Sequence, residues 1–534
     1  MNTQKSPVLF FRRALQTLAA IFAVSVFAAA VLAFAIPLFA SFFQKGASFS
    51  SSSQNLKLAK IAVFTLQQAL LSTLIALVVG LLASAFVTHR NFFLRRLLLS
   101  TAAVPLCIPP LIVALGYVGF FGMNGSANRA ISALFKTDKK AITFLYSFWG
   151  IVIAQGFYNF PLVMATVSDA WSTLPRTQSD AAKMLGASKM RIFFSITIRQ
   201  LMPSIVSACI PVFLYCFFSF LIVLLFGGVG TTTLEVELYH QARNSLDLTS
   251  ASKIALVETL MASIAVALYS SLERKSAMRK TESTPSARRK SIKGKERIGA
   301  IIVFSLIIIF FVCPLLCIIF ASFPKGSLVV MKKLVSKKGF VAACSQTIQT
   351  GVSTAFFSTC AALVCALFLK ASKKQNIAMK TFPMLPMAVS SVVMGFGMTA
   401  VVRTGTKEAL IAAQTALTWP LAFRQIWAGF SRISDESADA ARLLSPRPLD
   451  TAFEIYVKGS KRNILSALVL CFAVSAGDTT LPLVLAIPHF DTLSLFTYRL
   501  ASSYRFSEAC ASGLILGAFC MILFAFANKM KETK

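Results

Sequence analysis

Runs of about twenty or more mostly apolar residues recur along the whole chain, and no other feature narrows its fold as much. Coiled as an α-helix, a run of that length matches the roughly 30 Å hydrocarbon core of a bilayer and satisfies its own backbone hydrogen bonds there. About twelve such spans are expected, near residues 14–40, 61–88, 97–121, 144–168, 203–226, 253–271, 298–322, 345–369, 383–402, 409–428, 463–487 and 509–528. Of the 534 residues 56% are hydrophobic and only 14% charged, which excludes a soluble globular domain of this size. The fold class is therefore an all-α membrane protein.

A net charge of +33 would point to nucleic acid in a soluble protein. Here Lys and Arg crowd the short segments between spans, where they meet anionic lipid and fix topology, so the partner is the bilayer and no nucleic acid is expected. Lys5, Arg12 and Arg13 precede an apolar run, Ala14 to Ala40, too long for the core of a cleaved signal peptide; it reads as a retained first span. With the N-terminus inside, the cytoplasmic loops hold the larger share of Lys and Arg, and both termini are expected to be cytoplasmic. The 11 cysteines are scattered through apolar stretches without a C-x-x-C pair, and His89, His240 and His489 stand far apart, so no metal site is expected.

The chain repeats. Sliding it by 259 residues lays Phe160-Pro161-Leu162 on Trp419-Pro420-Leu421 and Asp180-Ala181-Ala182 on Asp439-Ala440-Ala441. A basic, Ser-containing stretch near the midpoint divides it into a first six-span half (1–272), a cytoplasmic linker (273–297) and a second six-span half (298–534). Six spans separate the copies, so equivalent loops face the same side and the halves are pseudo-symmetric parallel repeats.

Between the fourth and fifth spans the loop from Thr173 reads as a short helix, a break and a second helix. Ser179 or Asp180 can cap the first helix, Ala181 to Leu185 favour it, and Gly186 ends it in the left-handed conformation. The small face of Ala181 and Ala182 admits another backbone closely, and Met184 and Leu185 offer apolar contact. This loop resembles the coupling loop of ABC importer permeases, whose signature is Glu-Ala-Ala, three residues, then Gly. Asp180 stands for the Glu; Ala181, Ala182, Leu185 and Gly186 match. The second copy matches at Asp439, Ala440, Ala441 and Leu444 but has Ser445 for the Gly, followed by Pro446. Membership implies a type I ABC importer permease of the bacterial inner membrane. It would work with two copies of an ABC ATPase seated on these loops and with an extracytoplasmic solute-binding protein.

Pro105, Pro109, Pro110 and Gly116 in the third span, and Pro383, Pro386, Gly395 and Gly397 in the ninth, place helix breakers where only packed or cavity-lining backbone tolerates them. Past the fifth span, a Gly-rich turn leads into Thr232, Thr233, Glu235 and Tyr239, expected to meet the binding protein or to close an outer gate. This segment, with His489 to Leu493 and Ser502 to Arg505, is similar to outward segments of permeases for thiamine and its phosphates, a subgroup close to the ferric-iron permeases. Thiamine or its phosphates is thus the expected cargo, and ferric iron the alternative.

No G-x-x-x-x-G-K-[ST] occurs, so the chain is expected to bind no cofactor of its own, with ATP and Mg held by the partner ATPase. No paired carboxylates or nucleophile with its base suggest an enzyme. An ion-coupled secondary transporter is the rival from another class. Against it stands the expected scarcity of ionisable residues within the spans, Arg424 being the main candidate.

Overall fold

Backbone placed in hydrocarbon must satisfy its own N–H and C=O groups, and this chain does so with helices. The computed structural model describes residues 7–42, 52–136, 140–175, 177–228, 230–277, 290–291, 294, 296–371, 382–402, 404–444 and 447–532. In order come α1 (Pro7–Phe42), α2 (Ser52–His89), α3 (Pro110–Phe121), α4 (Phe148–Ser172), α5 (Thr177–Met184), α6 (Ile198–Phe217), α7 (Leu234–Tyr239) and α8 (Leu248–Ala277). They are followed by α9 (Glu296–Ser322), α10 (Lys338–Ala371), α11 (Ser391–Val401), α12 (Lys407–Phe430), α13 (Asp435–Leu444), α14 (Lys461–Gly477), α15 (Leu493–Ser502) and α16 (Phe506–Glu532). Extended pairing among the described residues is limited to a parallel bridge of Arg90–Asn91 with Lys290–Ser291. Most of the basic linker lies outside the described residues.

Among the described residues nine helices are long and apolar enough to cross a membrane, or ten if the pair Phe382–Ala388 and Ser391–Val401, bent by 92°, forms one span. The expected count of about twelve is thus not reached. Two of the expected spans fall on helices that lie outside those nine. α12 carries Lys407, Glu408 and Arg424 and buries Gln414, Thr415 and Thr418, while α14 has only 17 residues and stops before Asp478. The third expected span is shortened, since its helix starts only at Pro110, after extended Pro109.

The repeat is visible helix by helix. Shifted by 259 residues, α4 falls on α12 and α5 on α13; the π-helical turn Phe193–Thr197 falls on Ala452–Val457, and Phe220–Phe226 on Thr480–Leu485.

Two compact units emerge, and they are drawn differently from the two halves. One comprises Met1–Lys45, Lys338–Phe496 and Ala518–Lys534; the other comprises Gly46–Lys337 and Thr497–Gly517. The first span of each half therefore joins the unit built mainly from the other half. In the first unit α1 packs on α10, α11 and α12, and the Phe27 ring meets Trp419 edge-on at 5.9 Å. In the second unit α9 packs on α3 and α4. There the Tyr117 hydroxyl donates to the Phe310 carbonyl, and the Phe310 ring stacks on Phe157 at 4.9 Å.

Glycines at the same place in α3 and α11, the seventh residue of each, make both contacts possible. A Cβ on Gly116 would lie 2.5 Å from the Pro314 carbonyl oxygen, and one on Gly397 would collide with the Pro37 carbonyl oxygen. Gly116 and Gly397 thus act inside helices as points of close approach rather than as breakers, because a missing Cβ lets another backbone come near. The break falls at extended Pro109 in the third span and at Val389–Ser390, just past Pro383 and Pro386, in the ninth.

Candidate functional site: two coupling helices

α5 and α13 are short helices that precede α6 and α14, each joined to the following span through a short α-turn and a π-turn. α5 begins at Thr177, earlier than expected, so neither Ser179 nor Asp180 caps it. Asp180 instead sits in the first turn, where the positive end of the helix dipole favours a carboxylate. The end is a Schellman turn, as Gly186 implies. Gly186 N–H donates to the Lys183 carbonyl at 3.0 Å, Ala187 N–H to the Ala182 carbonyl at 3.0 Å, and Gly186 takes φ 78°. Ser445 and Pro446, at the end of α13, lie outside the described residues.

The two helices present matching surfaces. Lys183 pairs with Asp180 at 2.7 Å, and Arg442 with Asp439 at 2.7 Å, all four side chains being at least half exposed. Each pair is worth only a few tenths of a kcal/mol. Ala181 and Ala440 are exposed, while Ala182 and Ala441 are half-buried. Each helix then ends on two bare apolar side chains: Met184 and Leu185 are 89% and 88% exposed, Leu443 and Leu444 88% and 90%. Apolar side chains held in water beside a charged loop gain by being covered. Sequence reading had not singled out Lys183, Arg442 or Leu443; the 259-residue shift, which superposes Lys183 on Arg442 and Met184 on Leu443, was the signal for them.

The segment from Thr232 to Tyr239 is placed differently. Thr233 and Glu235 are buried in the second unit, and Thr232 and Tyr239 are half-buried. Thr233 contributes its carbonyl to the first turn of α7, accepting from Glu237 N–H at 2.9 Å. Leu234 N–H donates to the Thr65 hydroxyl on α2 at 3.0 Å; in the first unit, Leu493 N–H donates to the Thr347 hydroxyl on α10 at 2.6 Å. The same anchor is thus built twice. Burial pushes the Glu237 carboxyl up, but hydrogen bonds from Gln241 and Lys57 and the Lys57 charge outweigh it and hold that carboxyl below its usual range. Burial, with a smaller contribution from neighbouring Tyr498, raises the Tyr239 hydroxyl.

The spans hold more ionisable groups than expected. Besides half-buried Arg424, the sixth span contains Lys253 and Glu258, 7% and 1% exposed, and Asp478 accepts from Gln414 Nε2 at 3.3 Å just beyond α14. Among the described residues no group of His, Cys, Asp and Glu could hold a metal ion.

Known proteins match this sequence. The family described as binding-protein-dependent transport system inner membrane component matches residues 76–277, which include α4, α5 and α6. Over those residues the chain is similar to the binding-protein-dependent transport permeases. The permease is 24% identical over 488 residues to the thiamine transport system permease protein ThiP of Brucella abortus (strain 2308), covering 89% of this chain and 88% of that protein. ThiP of Escherichia coli (strain K12) is 23% identical over 482 residues, 88% of each chain. The putative 2-aminoethylphosphonate transport system permease protein PhnU of Salmonella typhi is 27% identical over 205 residues, 38% of this permease and 71% of that protein. Such proteins are membrane transport components rather than enzymes, and the apolar helices make this chain a multi-pass membrane protein.

Proposed function

We propose that this permease forms the translocation path of an ATP-driven importer for thiamine or its phosphates. The observation that carries the coupling mechanism is the pair of repeat-related helices α5 and α13, each ending on two bare apolar side chains. Two copies of a partner ATPase seat on them from the cytoplasm, one copy per helix, and both chain termini face the same compartment. ATP binding closes the ATPase pair; the rigid turns into α6 and α14 carry that motion to the spans, and hydrolysis reverses it. The ThiP relatives, aligned along nearly the whole chain, support thiamine as the cargo.

The test is uptake of labelled thiamine into proteoliposomes holding the permease, its ATPase and its binding protein, with unlabelled 2-aminoethylphosphonate and ferric iron as competitors. ATP-dependent thiamine uptake that collapses in the double variant Asp180→Lys, Asp439→Lys is the expected result. Uptake indifferent to ATP and to both substitutions would refute the coupling mechanism, and competition by either rival solute would reassign the cargo.

A further inference from the structure

Five non-glycine residues among those described take a left-handed backbone: Lys136, Leu246, Ala486, His489 and Tyr504. All five are exposed, and two of them carry large hydrophobic side chains. Leu246 is 72% exposed at φ 54°, and Tyr504 is 97% exposed at φ 57°. A side chain in this region of backbone space is strained, and an apolar one in water gains nothing to offset that strain unless it is covered by something else.

The repeat relates the two positions. α7 and α15 start at equivalent residues, Leu234 and Leu493; the π-turn His240–Asn244 adds one residue to the first copy, so Leu246 falls on Tyr504. Each closes the turn that leads into the last span of its half, α8 or α16. In one copy Ser245 N–H donates to His240 and Asp247 N–H to Gln241; in the other Tyr504 N–H donates to Ala501 and Arg505 N–H to Leu500. Both turns belong to the second unit; Arg243 is exposed beside Leu246, whereas Arg505, beside Tyr504, is paired with Glu508.

We propose that Leu246 and Tyr504 are twin anchors that seat in the solute-binding protein when it docks on the extracytoplasmic face. This rests on the reading given above: each turn lies beyond the end of α6 or α14 remote from its coupling helix, so cytoplasmic coupling helices put both turns outside. The partner surface that fits has two apolar recesses, the one that takes Leu246 rimmed by carboxylates complementary to Arg243. Lipid is the weaker match, since apolar residues that meet hydrocarbon along α1 and α2, such as Leu18 and Val63, lie on helix faces and need no strained backbone.

The experiment titrates thiamine-loaded binding protein onto the permease–ATPase complex in nanodiscs and reads ATPase stimulation, with co-elution of the ATPase reporting that each variant has folded. Leu246→Gly and Tyr504→Gly remove the side chain while relaxing the backbone. Each should raise the half-saturating concentration about tenfold and the double variant about a hundredfold, and Tyr504→Phe should stay near wild type. A double variant within twofold of a responsive wild type overturns the proposal, including the case where only its partition into lipid changes. A folded wild-type complex that no binding protein stimulates overturns the importer reading itself and the twin anchors with it.

Discussion

Truncating Leu185 and Leu444 to alanine tests whether coupling rests on apolar contact or on charge. Each substitution removes three carbons, and at about 0.8 kcal/mol per buried methylene the ceiling is about 2.4 kcal/mol per site. Leu185 and Leu444 are 88% and 90% exposed in the free permease, so nearly all of that area is available for burial by a partner. A contact that covers most of it loses about 2 kcal/mol, or roughly thirtyfold in the dissociation constant of the ATPase subunit. By contrast, Asp180→Asn breaks an exposed i,i+3 pair worth only a few tenths of a kcal/mol, a change of less than about twofold. Interferometry of nucleotide-free ATPase on permease immobilised in nanodiscs measures both. Because the two leucines touch little of their own chain, thermal stability should not move. If both leucine variants bind the ATPase within about threefold of wild type while Asp180→Asn binds far more weakly, charge rather than apolar contact holds the loops, and the reasoning fails.

Other outcomes follow from single contacts. Gly116→Ala and Gly397→Ala force a methyl against the Pro314 and Pro37 carbonyls and should each destabilise by about 1–3 kcal/mol, seen as an earlier melting transition in fluorescence-detected chromatography. An unchanged transition would mean that the helices part at no cost. Gly186→Ala meets no atom within 4 Å and pays only for its left-handed backbone, about 1–2 kcal/mol. It should speed proteolysis at the end of α5 without lowering the melting temperature. Thr65→Val leaves the buried Leu234 N–H without its acceptor, at about 1–3 kcal/mol, and hydrogen exchange at Leu234 should accelerate. Thr347→Val should do the same at Leu493.

Membrane class, duplication and the end of α5 were all legible in the sequence, because each rests on local chemistry: run length, a 259-residue echo, and a helix that stops at Gly186. What could not be read was adjacency. Hydropathy tells how long a span is but not which span lies beside it, so Gly116 and Gly397 looked like breakers although each is where a partner helix comes close. The hydropathy of α12 is low for a related reason. α12 is largely buried among other helices rather than bathed in lipid, and protein neighbours accept Gln414 and Thr418, which lower its hydropathy. That Thr233 and Glu235 are buried was equally illegible, because the backbone of a polar segment can be drawn inside when a neighbouring helix supplies a partner, as Thr65 does for Leu234.

The exchange of first spans also sets an order of construction. α1 is the first helix made, yet α10, α11 and α12, which enclose it, are synthesised only after Lys338. During that interval α1 persists as a single helix in lipid, stable because its backbone bonds are internal. The unit around α9 can begin to close as soon as α9 emerges, since α3 and α4 are already in place. The contacts of α9 with α3 and α4 can thus form before those of α1 with α10, α11 and α12. A chain severed within the linker keeps every contact available to two fragments made together, whereas neither fragment made alone can complete a unit.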